Sequence, residues 1–325
     1  MRTIAALVFL LAGAEAAQAA TDCKLNMLGS VDIQVTPENL TLPVTFANGT
    51  QKTFVLDIGA GLNMIAQPDA EEAGFHFRSI DPNIHISGYG QKAERLGNSP
   101  KFHIGTLPGD DVEFSVVPRT IGDGSIAGHL GNRLFEGVDF ELDIAQHKLN
   151  VFATDHCPEK VVYWTRTGFA ELPIRREGTV TSATMNLDGQ PLHVTLSTQQ
   201  GSLIGMNAVR GLFNLDENSP GMKLVNTMSD GRKLYQYPFK TLTVDALTIG
   251  NPNILIYDEA PQAGCTNQPR IRDMNAPQGH VVDKPQAYVT CFSPDMRIGL
   301  SVLSKLHIYY STREKIIYAT GAGAR

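Results

Sequence analysis

The residue best suited to chemistry in this sequence is Asp57, which follows an apolar run in the segment FVLDIGAGLNMI. A carboxylate at the end of a buried strand can act as a general acid or base, and Gly59 and Gly61 leave room for another backbone to approach. Hydrolysis by carboxylates commonly uses two of them, which share one proton because neighbouring like charges do not both ionise readily. The question is therefore where a second carboxylate would come from.

A repeat of the Asp57 segment occurs later in the chain. Asn48-Gly49 and Asp188-Gly189 each predict a tight turn between two apolar strands. Counting eight residues from the glycine of each turn reaches Asp57 in the first hairpin and Ser197 in the second, so the hairpins are offset by 140 positions. A hydroxyl neither carries the charge of a carboxylate pair nor shares its proton.

A second match in the same order favours a duplication of the whole unit. The segment GHLGNRLFEGVDFELDIAQHKLNVF (128–152) resembles RIGLSVLSKLHIYYSTREKIIYA (297–319), with Leu130-Gly131 matching Ile298-Gly299. Apolar and alternating runs bounded by turn signals recur throughout, and long helical periodicity is scarce, which predicts an all-β fold.

These pieces resemble the retropepsin-like aspartic proteases of the exported bacterial kind. The resemblance is carried by LDIGAG, by the flap-like HISGYGQ (85–91), by FHIGTLPGDDVEFSVVP and by the 128–152 segment, in the family's order. It implies two retropepsin-like β-barrel lobes arranged as a pseudo-dimer with a cleft between them. We assign residues 20–158 to lobe 1, which carries Asp57, and residues 159–325 to a degenerate lobe 2, which carries Ser197.

The resemblance also implies the roles of individual residues. Asp57 is the candidate catalytic residue, and Ser197 occupies the position of its degenerate partner. The hydroxyl that would follow Asp57 in the family, and would brace the two lobes, is replaced by Ile58. The residues expected to contact a bound peptide are Gly59, Ala60, Gly88, Tyr89, Gly90 and Thr198.

Two functions remain open on this basis. In the first, the protein binds a peptide or unfolded protein segment in the cleft and is weakly active or inactive as a monomer. In the alternative, it is an aspartic endopeptidase in which Asp57 of two chains meet in a homodimer and activate a water. A third class, a β-barrel carrier of a small hydrophobic ligand, has no specific support in the sequence.

Composition and charge exclude other classes. The net charge of −6 is spread along the chain without a basic stripe, so a nucleic-acid partner is not expected. The histidines and cysteines lack metal-ligand spacing, and the sequence predicts no metal and no cofactor. Asp139, Glu141 and Asp143 alternate along a predicted strand, which is most simply a solvated face.

The N-terminus and the cysteines predict export. Residues 1–19 have the pattern of a signal peptide ending in Ala17-Gln18-Ala19, which places the mature protein in the periplasm or outside the cell, without a membrane anchor after cleavage. The four cysteines allow three pairings, of which we favour Cys23–Cys157 and Cys265–Cys291 because each would close one half of the chain.

Overall fold

The computed structural model describes residues 24–324 apart from 159, 167, 178–179, 200, 229 and 260–293. The strands of the first half are β1 (Met27–Asp32), β2 (Gln34–Val35), β3 (Leu40–Phe46), β4 (Gln51–Asp57), β5 (Met64–Ala66), β6 (His76–Ser79), β7 (Ser87–Gly88), β8 (Gln91–Lys92), β9 (Arg95–Asn98), β10 (Phe102–Ile104), β11 (Leu107–Gly109), β12 (Glu113–Val117), β13 (Gly128–Gly131), β14 (Asp139–Asp143) and β15 (Lys148–Phe152). Those of the second half are β16 (Ala170–Glu177), β17 (Val180–Leu187), β18 (Gln190–Leu196), β19 (Ser202–Gly205), β20 (Lys223–Thr227), β21 (Lys233–Gln236), β22 (Thr241–Val244), β23 (Leu247–Gly250), β24 (Ile254–Tyr257), β25 (Met296–Ile298), β26 (Leu306–Ser311) and β27 (Ile316–Gly321). The helices are α1 (Gln67–Ala73), α2 (Met206–Phe213), α3 (Leu300–Leu303) and a 3₁₀ turn (Asn132–Phe135).

The predicted all-β fold is confirmed, and the first hairpin is its starting element. Strands β3 and β4 pair antiparallel, with Thr41 opposite Val55, and Gly49 in the connecting turn has a φ of 86°. Strand β4 ends in a fully buried apolar run that includes Phe54 and Leu56. It also pairs with β13 in parallel, so that Asp57 lies opposite Gly131.

The same arrangement is repeated in the second half, as the sequence match predicted. Strands β17 and β18 form a hairpin whose turn residues Asp188 and Gly189 have φ values of 46° and 83°. Strand β18 pairs in parallel with β25, as β4 does with β13. Strands β5 and β19 then pair antiparallel with β13 and β25, and each is followed by a helix, α1 or α2.

A continuous sheet joins the two halves. Strands β1, β15 and β14 come from the first half and pair through β14 and β26 with strands β26, β27 and β16 of the second. Phe140 lies opposite Tyr310 at this junction, and their rings stack with centroids 4.8 Å apart. The boundary that we assigned between residues 158 and 159 falls in the connection from β15 to β16.

The expectation that Asp139, Glu141 and Asp143 form a solvated face is wrong for the first two. Asp139 and Glu141 are buried, with 0% and 1% of their surface exposed. The reason is that His156 and residues of the second half cover this face of β14 and supply hydrogen-bond partners. Asp139 accepts bonds from Thr312 N–H and the Thr312 hydroxyl, both 2.8 Å, and Glu141 lies 2.6 Å from His307 Nε2.

Several predictions fall outside the described residues. The signal peptide 1–19 is among them, as are Cys23, Cys265 and Cys291. Cys157 is disulfide-bonded. Because the other three cysteines lie outside the described residues, its pairing with Cys23 remains a prediction. In the part of the chain that the structure describes, no helix is both long enough and apolar enough to cross a membrane.

Candidate active site

Asp57 is held at the end of a buried strand by backbone contacts of its own loop. Its side chain is 8% exposed, and its Oδ1 accepts a hydrogen bond of 3.0 Å from Gly59 N–H. Its carbonyl accepts a 3.1 Å bond from Ala60 N–H, which closes the turn. The predicted residues Asp57, Gly59 and Ala60 therefore form one tight loop.

Ser197 occupies the corresponding place in the second half. It follows β18 directly, is 6% exposed, and donates its backbone N–H to Ile298 O over 2.9 Å. Its hydroxyl closes its own turn, because it accepts from Gln199 N–H at 3.1 Å and lies 3.2 Å from Gln199 O. Ser197 thus presents a neutral hydroxyl at the end of β18, where the equivalent position of the first half, at the end of β4, carries the carboxylate of Asp57.

The two loops are in direct contact across the lobes. Thr198 N–H donates to Asp57 Oδ1 over 3.2 Å, so the carboxylate is bound from both halves of the chain. A Cβ added at Gly59 would lie 1.6 Å from Leu196 O, which means that only a glycine permits this approach. The sequence predicted that the glycines after Asp57 admit another backbone, and at Gly59 that backbone is Leu196 of lobe 2.

The brace between the loops is present on one side. The Thr198 hydroxyl is fully buried, donates to Leu56 O over 2.5 Å and accepts from Ile58 N–H over 3.1 Å. A symmetric brace would need a hydroxyl at position 58 bonded back to the second loop, and Ile58 has none. We refer to this arrangement of Thr198, Leu56 and Ile58 as the half brace.

Sequence reasoning missed a buried asparagine, Asn63, which fixes the end of the Asp57 loop to the neighbouring strands. Asn63 Oδ1 accepts from Gly131 N–H over 2.8 Å, and its Nδ2 donates to Glu113 O over 3.1 Å. Asn132 N–H donates to Ala60 O over 2.7 Å and adds a second tie to the same loop. The available signal was a polar residue inside the otherwise apolar run GLNMI.

The predicted flap is a short hairpin. Strands β7 and β8 pair around Tyr89 and Gly90, whose φ values of 54° and 69° form a tight turn. Gly88 approaches Met64 closely, since a Cβ at Gly88 would lie 2.5 Å from the Met64 sulfur. Tyr89 therefore lies in a turn that packs against lobe 1.

The Tyr89 side chain reaches into the site. Its hydroxyl lies 3.1 Å from His129 Nδ1, and a second hydrogen bond joins it to Gln199 of the other lobe. Burial raises the pKa of Tyr89 to about 12; the charge of Asp57 acts in the same direction, while the bond to Gln199 opposes it. Tyr89 is consequently a neutral hydroxyl group across the physiological pH range.

Two basic residues flank the site at equivalent positions of the repeat, and sequence reasoning missed both. His129 and Arg297 each precede the apolar-Gly pair that was matched between the halves. Burial lowers the pKa of each, and the negative charge of Asp57 opposes this shift in both cases. The aligned segments contained a signal for both residues. A basic residue precedes the matched apolar-Gly pair in each half, and this pair lies next to the two loops.

The space between the lobes is a cleft of about 560 Å³. Asn39 of lobe 1 and Gln199 of lobe 2 form an isolated antiparallel bridge at its edge. The residues that line the cleft are Glu38, Asn39, Val55, Tyr89, Ile121, Ile126, Gln199 and Gly201. It offers apolar walls, a tyrosine hydroxyl and main-chain groups, which suit an extended chain.

Comparison with known proteins agrees with this geometry. Residues 42–134 match the aspartyl protease family, a segment that contains the Asp57 loop, the flap and β13. No curated protein sequence matches the chain. Two solved structures are similar in fold over most of their length. The basic 7S globulin from soybean has a TM-score of 0.50 at 9% identity and covers 92% of this chain and 96% of its own. The aspartic proteinase from Irpex lacteus has a TM-score of 0.50 at 11% identity and covers 91% of this chain and 97% of its own.

Proposed function

The chain has the two-lobed fold of the retropepsin-like aspartic proteases, and from this premise we propose that it binds an extended peptide in the cleft between its lobes and cleaves it weakly or not at all. The observation that carries the proposal is the partner of Asp57. Within one chain, Asp57 Oδ1 is contacted by the Thr198 N–H of the second loop, and Ser197, which precedes Thr198, stands where the repeat would place a second carboxylate.

The missing carboxylate removes one of the two protonation roles. Hydrolysis of an amide by this chemistry needs a base for the water and, at the same time, an acid for the scissile carbonyl. Asp57 is able to fill one role, whereas the Ser197 hydroxyl is engaged with Gln199 and does not hold a proton at the required acidity. A single carboxylate on the loop beside this cleft supports binding better than turnover.

The homodimer alternative has less support from the geometry. For two Asp57 side chains to meet, lobe 1 would have to release the Thr198 loop that now contacts it. It would also have to turn against the sheet in which β14 and β26 pair over four residues. The first half would then bring Ile58 to both sides of the new interface, without any hydroxyl brace.

Binding by strand addition fits the edges of the cleft. The bridge between Asn39 and Gln199 shows that backbone at this edge has the spacing of paired strands. An extended peptide would gain main-chain hydrogen bonds there, and its side chains would alternate between apolar walls such as Val55 and Ile121 and the Tyr89 hydroxyl. The ligand class is therefore a peptide or an unfolded protein segment, which this protein would bind after export.

The test combines cleavage with binding. Purified mature protein and its Asp57→Asn variant would be incubated with a fluorescently labelled, reduced and alkylated protein from acid to neutral pH. We expect anisotropy to report binding by both, with no cleavage above that of the variant. Cleavage that disappears in Asp57→Asn would overturn the inactive assignment.

Binding is located with a pair of tryptophan variants. Gly201→Trp would fill the cleft, since Gly201 lines it and a Cβ there meets no atom closer than 3.9 Å. Gly250→Trp is the matched control, because Gly250 is exposed and has nothing within 4 Å of its Cβ position. We expect Gly201→Trp to weaken binding at least tenfold and Gly250→Trp to leave it unchanged; equal affinities for the two variants would exclude the cleft as the binding site.

A further inference from the structure

A second cavity of about 600 Å³ lies between the halves of the chain and shares no lining residue with the cleft. The first half contributes the 3₁₀ turn and β14, and the second half contributes β16, β17, β26 and the turn that follows β26. Its volume is in the range that small organic ligands occupy in proteins. We call it the interlobe pocket.

Positive charge is concentrated around the interlobe pocket, although the chain as a whole has a net charge of −6. Four cationic side chains line it, against the single carboxylate of Glu136. Those four residues are Arg175, Arg176, Arg313 and Lys315. Such an imbalance in a concave site raises the local concentration of anions.

Two of these cations are already engaged. Arg176 Nη1 pairs with Glu136 Oε1 at 2.9 Å, and Arg313 Nη2 donates to His156 O over 2.5 Å. The Arg175 and Lys315 side chains have no hydrogen-bond or ion-pair partner within the described residues, and both are exposed. The bond from Ile174 N–H to Lys315 O, 2.9 Å, fixes the two segments beside each other.

The inner part of the pocket is aromatic, with a polar patch. Phe140 stacks on Tyr310 with ring centroids 4.8 Å apart, and the tilted ring of Phe135 lies 4.5 Å from Phe140; together these rings form the aromatic stack. Thr181 Oγ1 lies 3.3 Å from the Tyr310 hydroxyl and accepts from Asn132 Nδ2 over 3.0 Å. Asn132 Oδ1 is buried and has no partner among the described residues, so this wall carries an unused acceptor.

We propose that the interlobe pocket binds an organic anion with a planar apolar body, such as an aromatic carboxylate. The guanidinium of Arg175 and the ammonium of Lys315 would pair with the carboxylate, since charge-assisted hydrogen bonds of this kind are strong and directional. The apolar body would lie towards the aromatic stack. Because residues of both halves line the pocket, a bound ligand stabilises the assembled pair of lobes.

The test titrates the intact mature protein with 1-naphthoate, followed by calorimetry and by the thermal unfolding midpoint. Neutral 1-naphthylmethanol is the matched ligand without charge. We expect saturable binding of 1-naphthoate with an increase in the unfolding midpoint, and binding of the alcohol at least tenfold weaker. Equal affinity for acid and alcohol, or no saturable binding of the acid, would overturn the proposal.

A charge-matched pair of variants locates the site. Arg175→Gln/Lys315→Gln removes the two cations without side-chain partners, and Lys101→Gln/Lys223→Gln removes the same charge from exposed positions outside the pocket. We expect at least a tenfold loss of 1-naphthoate affinity in the first variant and none in the second. An equal loss in both would assign the effect to net charge and overturn the site.

The source of the anion is distinguished by competition, and the cleft by a separate control. An acetylated tripeptide with a free C-terminal carboxylate would displace 1-naphthoate, and its amide would not, if the natural ligand is a chain terminus. Displacement by small aromatic acids alone would identify a free metabolite-like acid. Binding that persists in Asp57→Asn and Gly201→Trp separates this site from the proposed function of the cleft; binding lost in both would overturn it.

Discussion

We expect the side chain at position 197 to decide between binding and turnover. Ser197→Asp would place a second carboxylate beside Asp57 on a loop whose backbone is already positioned by Ile298 O. We expect this variant to gain cleavage of an unfolded protein at acidic pH, by about 100- to 10,000-fold over the parent, which is the usual contribution of an acid–base partner. The measurement is the initial cleavage rate, with Asp57→Asn/Ser197→Asp as the control that must be inactive.

His129 makes the stability of the site depend on pH. Burial lowers its pKa below the ordinary 6.5, so the unfolded chain takes up a proton at a higher pH than the folded one. The stability associated with neutral His129 is therefore complete above about pH 6.5 and is lost as the pH falls towards the lowered pKa. We expect His129→Gln to flatten the decline of the unfolding midpoint below pH 6.5, and an unchanged decline would contradict this.

At the scale of elements, the half brace is a buried cross-link between two loops. Thr198→Val removes the hydroxyl and leaves Leu56 O and Ile58 N–H without their partner, and an unsatisfied buried group costs about 1–3 kcal/mol of the free energy of unfolding. Thr198→Ser keeps the hydroxyl and is the control. Chemical denaturation would distinguish them, and equal stabilities for Val and Ser would show that the brace contributes nothing.

The junction between β14 and β26 contains a buried acidic residue whose partner comes from the other half. Glu141→Ala would leave His307 without its 2.6 Å partner and empty a site that also accepts bonds from Asn150 and Tyr163. We expect a loss of about 3–5 kcal/mol in the free energy of unfolding. In the exposed pair of Asp32 with Lys148, Asp32→Ala should cost less than about 1 kcal/mol.

The elements were predictable where the signal is local, and the equivalence of the two loops was predictable where the repeat could be aligned. The Asn48-Gly49 and Asp188-Gly189 turns predict both hairpins, and the offset of 140 positions makes Ser197 the equivalent of Asp57 in the repeat. The burial of Asp139 was not predictable, because alternation reports that a strand has two faces and does not report what covers the second face. Here the cover consists of His156 together with Tyr309 and Thr312, and Thr312 lies 173 residues further along the chain.

For the whole molecule, the pairing of β14 with β26 predicts a monomer. This pairing closes the sheet edge that separate lobes would have to cover with another chain, and the Asp57 loop already has its contact in lobe 2. We expect sedimentation equilibrium to give the mass of one mature chain up to high micromolar concentration. A dimer whose dissociation constant is altered by Asp57→Asn would instead favour the endopeptidase alternative.

The half brace also shows that the two halves supply different groups to the contact between their loops. A homodimer of first halves would have two carboxylates and no hydroxyl to join the loops, and a homodimer of second halves would have two hydroxyls and no carboxylate. The first half supplies the carboxylate that the second lacks, and the second supplies the brace hydroxyl that the first lacks. As they stand, neither half would serve as its own partner, so the two loops depend on being joined in one chain. A hydroxyl at position 58 or a carboxylate at position 197 would free one half from that dependence.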